Sequence, residues 1–166
     1  MKKLLLGCVL FLSACSVQVD EYDGFRDEVV LVQVTKNEFE DLLTSNAVII
    51  LADPMSEWSQ VAVPVFNEAA KALNATAYYY NATDERDNSE LLAQIQQATF
   101  ASELSKALYD ELYLPIVLYI EFGRIQQVHV GTIASHVIEE GQIPPLTTSQ
   151  EQELQTIYEA LIQQTS

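Results

Sequence analysis

Two serines, Ser56 and Ser59, bracket the stretch Ser56-Glu57-Trp58-Ser59, which follows shortly after an apolar run, Ala47 to Ala52. A serine becomes a nucleophile when a base lies within hydrogen-bond reach and a third group orients that base. The chain has two histidines, His129 and His136. They fall in what reads as an edge hairpin and in the loop after it, with nothing local to bring either to a serine. Serine is also a preferred N-cap residue, because its oxygen accepts from amides left free at a helix start. Both serines therefore read as helix-cap residues, and no catalytic residue is assigned. Metal chemistry fares no better. Zinc sites want three or four close ligands, and two histidines seven residues apart do not supply them. Asp84, Glu85, Asp87 and Glu90 form an acidic cluster without the central glycine of a calcium loop, so it reads as a solvated acidic loop. Neither a metal nor a cofactor is expected. Asn74-Ala75-Thr76 and Asn81-Ala82-Thr83 match the glycosylation sequon and are read as coincidence.

The cysteines decide more. There are two, Cys8 and Cys15. Met1-Lys2-Lys3 is a short positive start, and Leu4 to Leu12 is an apolar run of nine residues. A membrane-spanning helix needs about 20 apolar residues, so this is the pattern of a secretory leader. Leu12-Ser13-Ala14-Cys15 also looks like the lipobox of bacterial lipoproteins. That resemblance implies cleavage before Cys15, transfer of diacylglycerol to its thiol with palmitate among the acyl chains, and a lipid anchor on the outer side of the bacterial cell membrane. The expected organisation is a signal peptide over 1–14, a lipidated cysteine with a flexible tether over 15–27, and one domain over 28–166. Cys8 leaves with the leader and Cys15 is acylated, so the mature chain keeps no free thiol.

The chain carries 24 acidic against 8 basic residues, a formal net charge of −16, and two of the lysines lie in the leader. Such a surface repels phosphate backbones, so nucleic acid is excluded as a partner. The charges are dispersed, as on a solvated surface.

The elements that would position these residues follow from hydrophobic periodicity. Val29 to Val34 reads as a strand. Thr35-Lys36-Asn37-Glu38 is a capping box that starts a helix, with Phe39, Leu42 and Leu43 on one face. Ala47 to Ala52 is an uninterrupted apolar run, as in a strand covered on both faces. Asp53 to Glu57 interrupts the pattern, and a helix follows with Val61, Val65, Ala69 and Leu73 spaced by four. Pro64 removes an amide donor inside it and predicts a kink. Thr76 to Tyr80 is a third strand, and Asp84 to Leu112 is helical in two pieces. Ile116 to Glu121 and Ile125 to Val130 form a hairpin about Phe122-Gly123-Arg124. Thr148-Ser149-Gln150-Glu151 reads as a second capping box, opening a helix with Leu154, Ile157, Tyr158, Leu161 and Ile162 in one stripe. There is no internal repeat. Strands alternating with helices predict an α/β fold, with a mixed sheet and helices on both faces.

In this order the sequence resembles the thioredoxin family from about Val29 to Ile162. In that family two cysteines separated by two residues open a long helix, and a proline follows the second by five residues. Counting back from Pro64 places Ser59 and Ser56 at the cysteine positions. A register with Ser59 and Ala62 loses the match to Pro64. Leu114-Pro115-Ile116 is similar to the family's cis-proline loop, which faces the redox motif. Gly123 and Gly131 match its hairpin glycine and the glycine after it. The resemblance implies a thioredoxin-like fold and places Trp58 on the rim of an exposed groove. It does not carry the redox mechanism. Disulfide exchange needs a thiolate attacker and a sulfur leaving group, and the family's proton-accepting carboxylate position is Ile50 here.

Three function classes compete. The favoured one is a redox-inactive thioredoxin-like lipoprotein that binds a polypeptide partner, as an accessory or chaperone-like factor in export. The leader, the tether and the extension past the hairpin resemble bacteriocin-transport accessory proteins. The second is an oxidoreductase that relies on a partner's cysteine. The third is a structural or ligand-carrying surface protein.

Overall fold

The computed structural model describes residues 22–26, 28–85, 87–99 and 112–165. Cys15, the leader and the second piece of the Asp84–Leu112 helical stretch lie outside them. Five strands form one mixed sheet: β1 (Val32–Gln33), β2 (Ala47–Ala52), β3 (Tyr78–Asn81), β4 (Ile116–Glu121) and β5 (Arg124–Val130). Their spatial order is β1-β3-β2-β4-β5. β3 runs parallel to both β1 and β2, and β4 is antiparallel to β2 and β5. Among the described residues four helices cover it: α1 (Lys36–Leu42), α2 (Glu57–Ala72), α3 (Ser89–Thr99) and α4 (Thr148–Ile162). This mixed sheet with its helices is a thioredoxin-like fold, and the peptide bond between Leu114 and Pro115 is cis.

The two faces follow from the strand period of two. Val48, Ile50, Ala52, Tyr79, Val117 and Tyr119 point to one side and pack with Val63 and Phe66 of α2 and Leu154 and Tyr158 of α4. Ile49, Leu51, Tyr80, Ile116, Leu118 and Ile120 point to the other and pack with Phe39 of α1 and Leu91 and Ile95 of α3. Every residue of β2 is buried, which is why its sequence is apolar without alternation. The hairpin turns on Phe122 and Gly123, both at positive φ (52° and 69°). Such a pair matches the strand twist in a two-residue turn.

Four details differ from the sequence reading. The first strand is two residues long rather than spanning Val29–Val34. Buried Asn67 of α2 takes the neighbouring polar groups: its Oδ1 accepts from the Val30 amide at 2.8 Å and its Nδ2 donates to the Glu28 carbonyl at 3.2 Å. The third strand is shifted to Tyr78–Asn81. The cap of α4 is Thr147 with Gln150, not Thr148 with Glu151. The expected tether is not free over its described part. Tyr22 is 3% exposed, its hydroxyl donates to that of Tyr79 at 3.1 Å, and its ring meets Tyr79 and Phe25 edge to face. Gly24 approaches α2 so closely that an added Cβ would lie 2.8 Å from Pro64 Cγ. Arg26 pairs with Glu151 at 2.9 Å. Acidic neighbours gave this stretch the composition of a linker, but its two aromatics complete the core face beside α2.

Candidate functional site

The loop between β2 and α2 is built around a buried carboxylate. Asp53 Oδ1 accepts from the Met55 amide at 2.9 Å and from the Thr83 hydroxyl at 3.1 Å. Gln60 reaches back to donate to the Pro54 carbonyl at 2.6 Å. This folds the chain over the end of β2 and delivers it into α2, with Ser56 at the N-cap position. The serines share the first turn but differ in role. The Ser56 side chain makes no cap hydrogen bond. Ser59 is fully buried, and its oxygen accepts from the Asp53 amide at 3.2 Å. It pins the loop rather than capping the helix. Glu57 is exposed in the first turn, where its charge suits the helix dipole.

Trp58 is half-buried, and its ring meets the His136 imidazole edge to face, with centroids 5.1 Å apart. His136 is nearly fully buried. Its Nε2 donates to the Pro144 carbonyl at 2.7 Å, and its Nδ1 lies 2.9 Å from the Thr132 hydroxyl. The Thr132 carbonyl accepts from His129 Nε2 at 2.7 Å. Burial holds the His129 imidazole below its usual pKa, against the opposing effect of that hydrogen bond. Burial also pushes the Tyr158 phenol up; its ring stands edge-on to His129. Thr132 thus ties the two histidines together and ties the loop after β5 to the end of that strand. The hydrogen bonds of both imidazoles go to Thr132 and Pro144, not to Ser56 or Ser59, so no serine–histidine pair is formed.

Leu114 and Pro115 are buried at the start of β4. Between this loop, Trp58 and α4 lies a groove of about 810 Å³, walled by Trp58, Tyr113, Leu114, Ile133, His136 and Ile157. The structure therefore brings Trp58 and Leu114 to one cleft, while Ser59 lies beneath the loop. Sequence reasoning missed the far wall, made of residues 129–136 and α4. The available signal was Val137-Ile138, an apolar pair inside a loop-like stretch, directly after a histidine. Among the described residues no group of three or more metal-ligating side chains occurs, and no helix is long and apolar enough to cross a membrane.

No protein-family model matches the chain, and no curated protein matches it. Among solved structures the chain is similar to a proposed oxidoreductase with a thioredoxin fold. That match has 17% sequence identity and a TM-score of 0.44, and covers 61% of this chain and 83% of the other.

Proposed function

We propose that this thioredoxin-like chain is a redox-inactive, membrane-anchored lipoprotein that holds an extended segment of another polypeptide, as an accessory or chaperone-like factor at the outer face of the bacterial cell membrane. The observation that carries the reading is the groove between Trp58 and the Leu114-Pro115 loop, largely apolar and open at the surface. Apolar clefts with a few convergent polar groups are where ligands bind. An extended segment can add main-chain hydrogen bonds there without any thiol. Serines stand at both positions that the resemblance assigns to cysteines, and no cysteine follows Cys15. A hydroxyl at neutral pH can neither attack a disulfide nor leave as a thiolate.

Three measurements test the reading. Mass spectrometry of the mature protein should find a lipid-modified Cys15 at its N-terminus, and Cys15→Ala should leave the precursor unprocessed. The mature protein should not reduce insulin. A photocrosslinker at Tyr113 should capture a polypeptide in membranes. Insulin reduction by the unmodified protein would remove the redox-inactive part of the reading. Crosslinks to lipid alone would remove the polypeptide part.

A further inference from the structure

The groove has a chemical character that narrows its occupant. Its walls are mostly apolar, and exposed apolar residues stand next to its lining residues along the chain. Met55, Tyr113, Val137 and Ile138 are 87%, 55%, 55% and 59% exposed. Each lies within three residues of a groove residue: Met55 near Trp58, Tyr113 beside Leu114, and Val137 and Ile138 just after His136. The last two stand on a loop closed at its base by the bond from His136 to the Pro144 carbonyl. Above that base, Glu139 and Gln142 exchange backbone hydrogen bonds at 2.9 Å. Exposed apolar side chains gathered about one cleft mark an interaction surface.

Among the described residues the charges around it have one sign. Glu153 of α4 lines the groove. Glu57 precedes Trp58, and Glu139 and Glu140 are exposed on the loop carrying Val137 and Ile138. The cations among the described residues are placed elsewhere. Lys71 lies in the last turn of α2, about 20 Å along the helix from Trp58. Arg124 opens β5, about 20 Å from the strand end that lines the groove. Arg26 is bound to Glu151, and two residues along a helix turns Glu153 to the opposite side. Lys36 is bound to Glu85, on the face of the sheet away from α2 and α4.

We propose that the groove takes an extended polypeptide segment with an apolar centre flanked by lysine or arginine. The assignment rests on the polypeptide-binding reading above and adds the class of segment. The apolar centre fills the cleft between Trp58 and Ile157. The basic flanks meet Glu153 of the groove wall and the exposed Glu57, Glu139 and Glu140, which neighbour Trp58 and His136 along the chain. An acidic rim also disfavours anionic lipid and acidic segments, since like charges facing each other oppose binding.

The single tryptophan of the chain is Trp58, so its emission reports directly on the groove. The full chain, reconstituted in zwitterionic phosphatidylcholine vesicles, is titrated with three synthetic peptides of equal length. One has a Val/Leu centre with Lys ends, one the same centre with Glu ends, and one a Ser/Gly centre with Lys ends. The first should change Trp58 emission saturably and bind about tenfold more tightly than either other peptide, over the Glu-ended one through a few exposed charge pairs and over the polar-centred one through apolar burial. Its advantage over the Glu-ended peptide should shrink with added salt. It should shrink likewise in the Glu139→Gln, Glu140→Gln, Glu153→Gln variant, whose apolar groove is unchanged. Equal affinity for Lys and Glu ends would overturn the charge assignment and leave the groove reading standing. Equal affinity for the polar-centred peptide would overturn the apolar part. A response to anionic vesicles without peptide would give the face to lipid and overturn the proposal. No response to any peptide would remove the groove reading together with it.

Discussion

The indole of Trp58 meets the imidazole of His136 edge to face, with ring centroids 5.1 Å apart. This contact joins the first turn of α2 to the loop after β5, two segments far apart in the sequence. Both residues line the groove. His136 is held from both nitrogens, by Thr132 and by the Pro144 carbonyl.

His136→Ala should therefore act on both stability and site. Removing the ring leaves a carbonyl and a hydroxyl without their buried partner, at a cost of about 2 kcal/mol. The freed loop should expose the indole to water. Urea unfolding followed by circular dichroism should show the lower midpoint, and native Trp58 emission should shift to the red. A variant with unchanged midpoint and emission would mean that the loop is held by other contacts.

Ser56 at the N-cap and Ser59 in the first turn of α2 lie three residues apart, the separation of the two cysteines in the motif the sequence resembles. The Ser56→Cys, Ser59→Cys double variant should form an internal disulfide under mild oxidant, read as loss of free thiols and of two hydrogens by mass. In the reduced form the first cysteine should titrate below the free value of about 8.5, because the helix N-terminus favours its thiolate. Insulin reduction should stay weak, because Ile50 is buried and apolar and accepts no proton. Thiols that remain free would place the two positions too far apart for the geometry described here.

Glu85 is buried at the edge of the α1–α3 face and accepts from Lys36 at 2.8 Å, Tyr80 at 2.9 Å and Asn88 at 2.6 Å. Burial alone would raise its pKa; the hydrogen bonds from Lys36, Asn88 and Tyr80 outweigh it and hold the carboxyl below its usual range. The unfolded chain then takes up this proton at higher pH than the folded one. The stabilisation is full above the unfolded carboxyl pKa and is lost as pH falls through the folded value. Glu85→Gln should cost about 2 kcal/mol at neutral pH, as hydrogen bonds to a charged group do. It should also flatten the loss of stability as pH falls below about 5. Urea midpoints across that range test both. Parallel acid profiles in the two proteins would assign the acid sensitivity to other carboxylates.

Tyr22 and Arg26 lie four residues apart and should respond very differently. Tyr22 is buried against Tyr79 and Phe25, so Tyr22→Ala should cost about 3 kcal/mol. Arg26 is 72% exposed in its pair with Glu151, so Arg26→Ala should cost less than about 1 kcal/mol. Thermal or urea unfolding distinguishes them. Equal small effects would return residues 22–26 to the role of a tether.

What was legible in the sequence is what local chemistry dictates. The uniform burial of β2 is written in its unbroken apolar run. The start of α1 is written in Thr35 and Glu38, whose reciprocal bonds close within one turn. The body of α2 follows from the spacing of Val61, Val65, Ala69 and Leu73, and the place of Ser56 at its start from the resemblance counted back from Pro64. Tertiary structure decided the rest wherever two local answers were open or none was. Thr147 with Gln150 and Thr148 with Glu151 are both acceptable caps in sequence. The fold selects the first because the Gln150 amide also donates to the Ser135 carbonyl, which a carboxylate could not do, and because Glu151 is taken by Arg26. Tyr22 and Phe25 carry no periodicity, being two aromatics in an acidic stretch, and only the open core face beside α2 gives them a place. The far wall of the groove depends on Thr132 and His136, whose hydrogen bonds close only once β5 and α4 bring the Gly131–Pro144 loop against Trp58. Hydrophobic periodicity records which face of an element is covered; it carries no information about which distant loop will cover it.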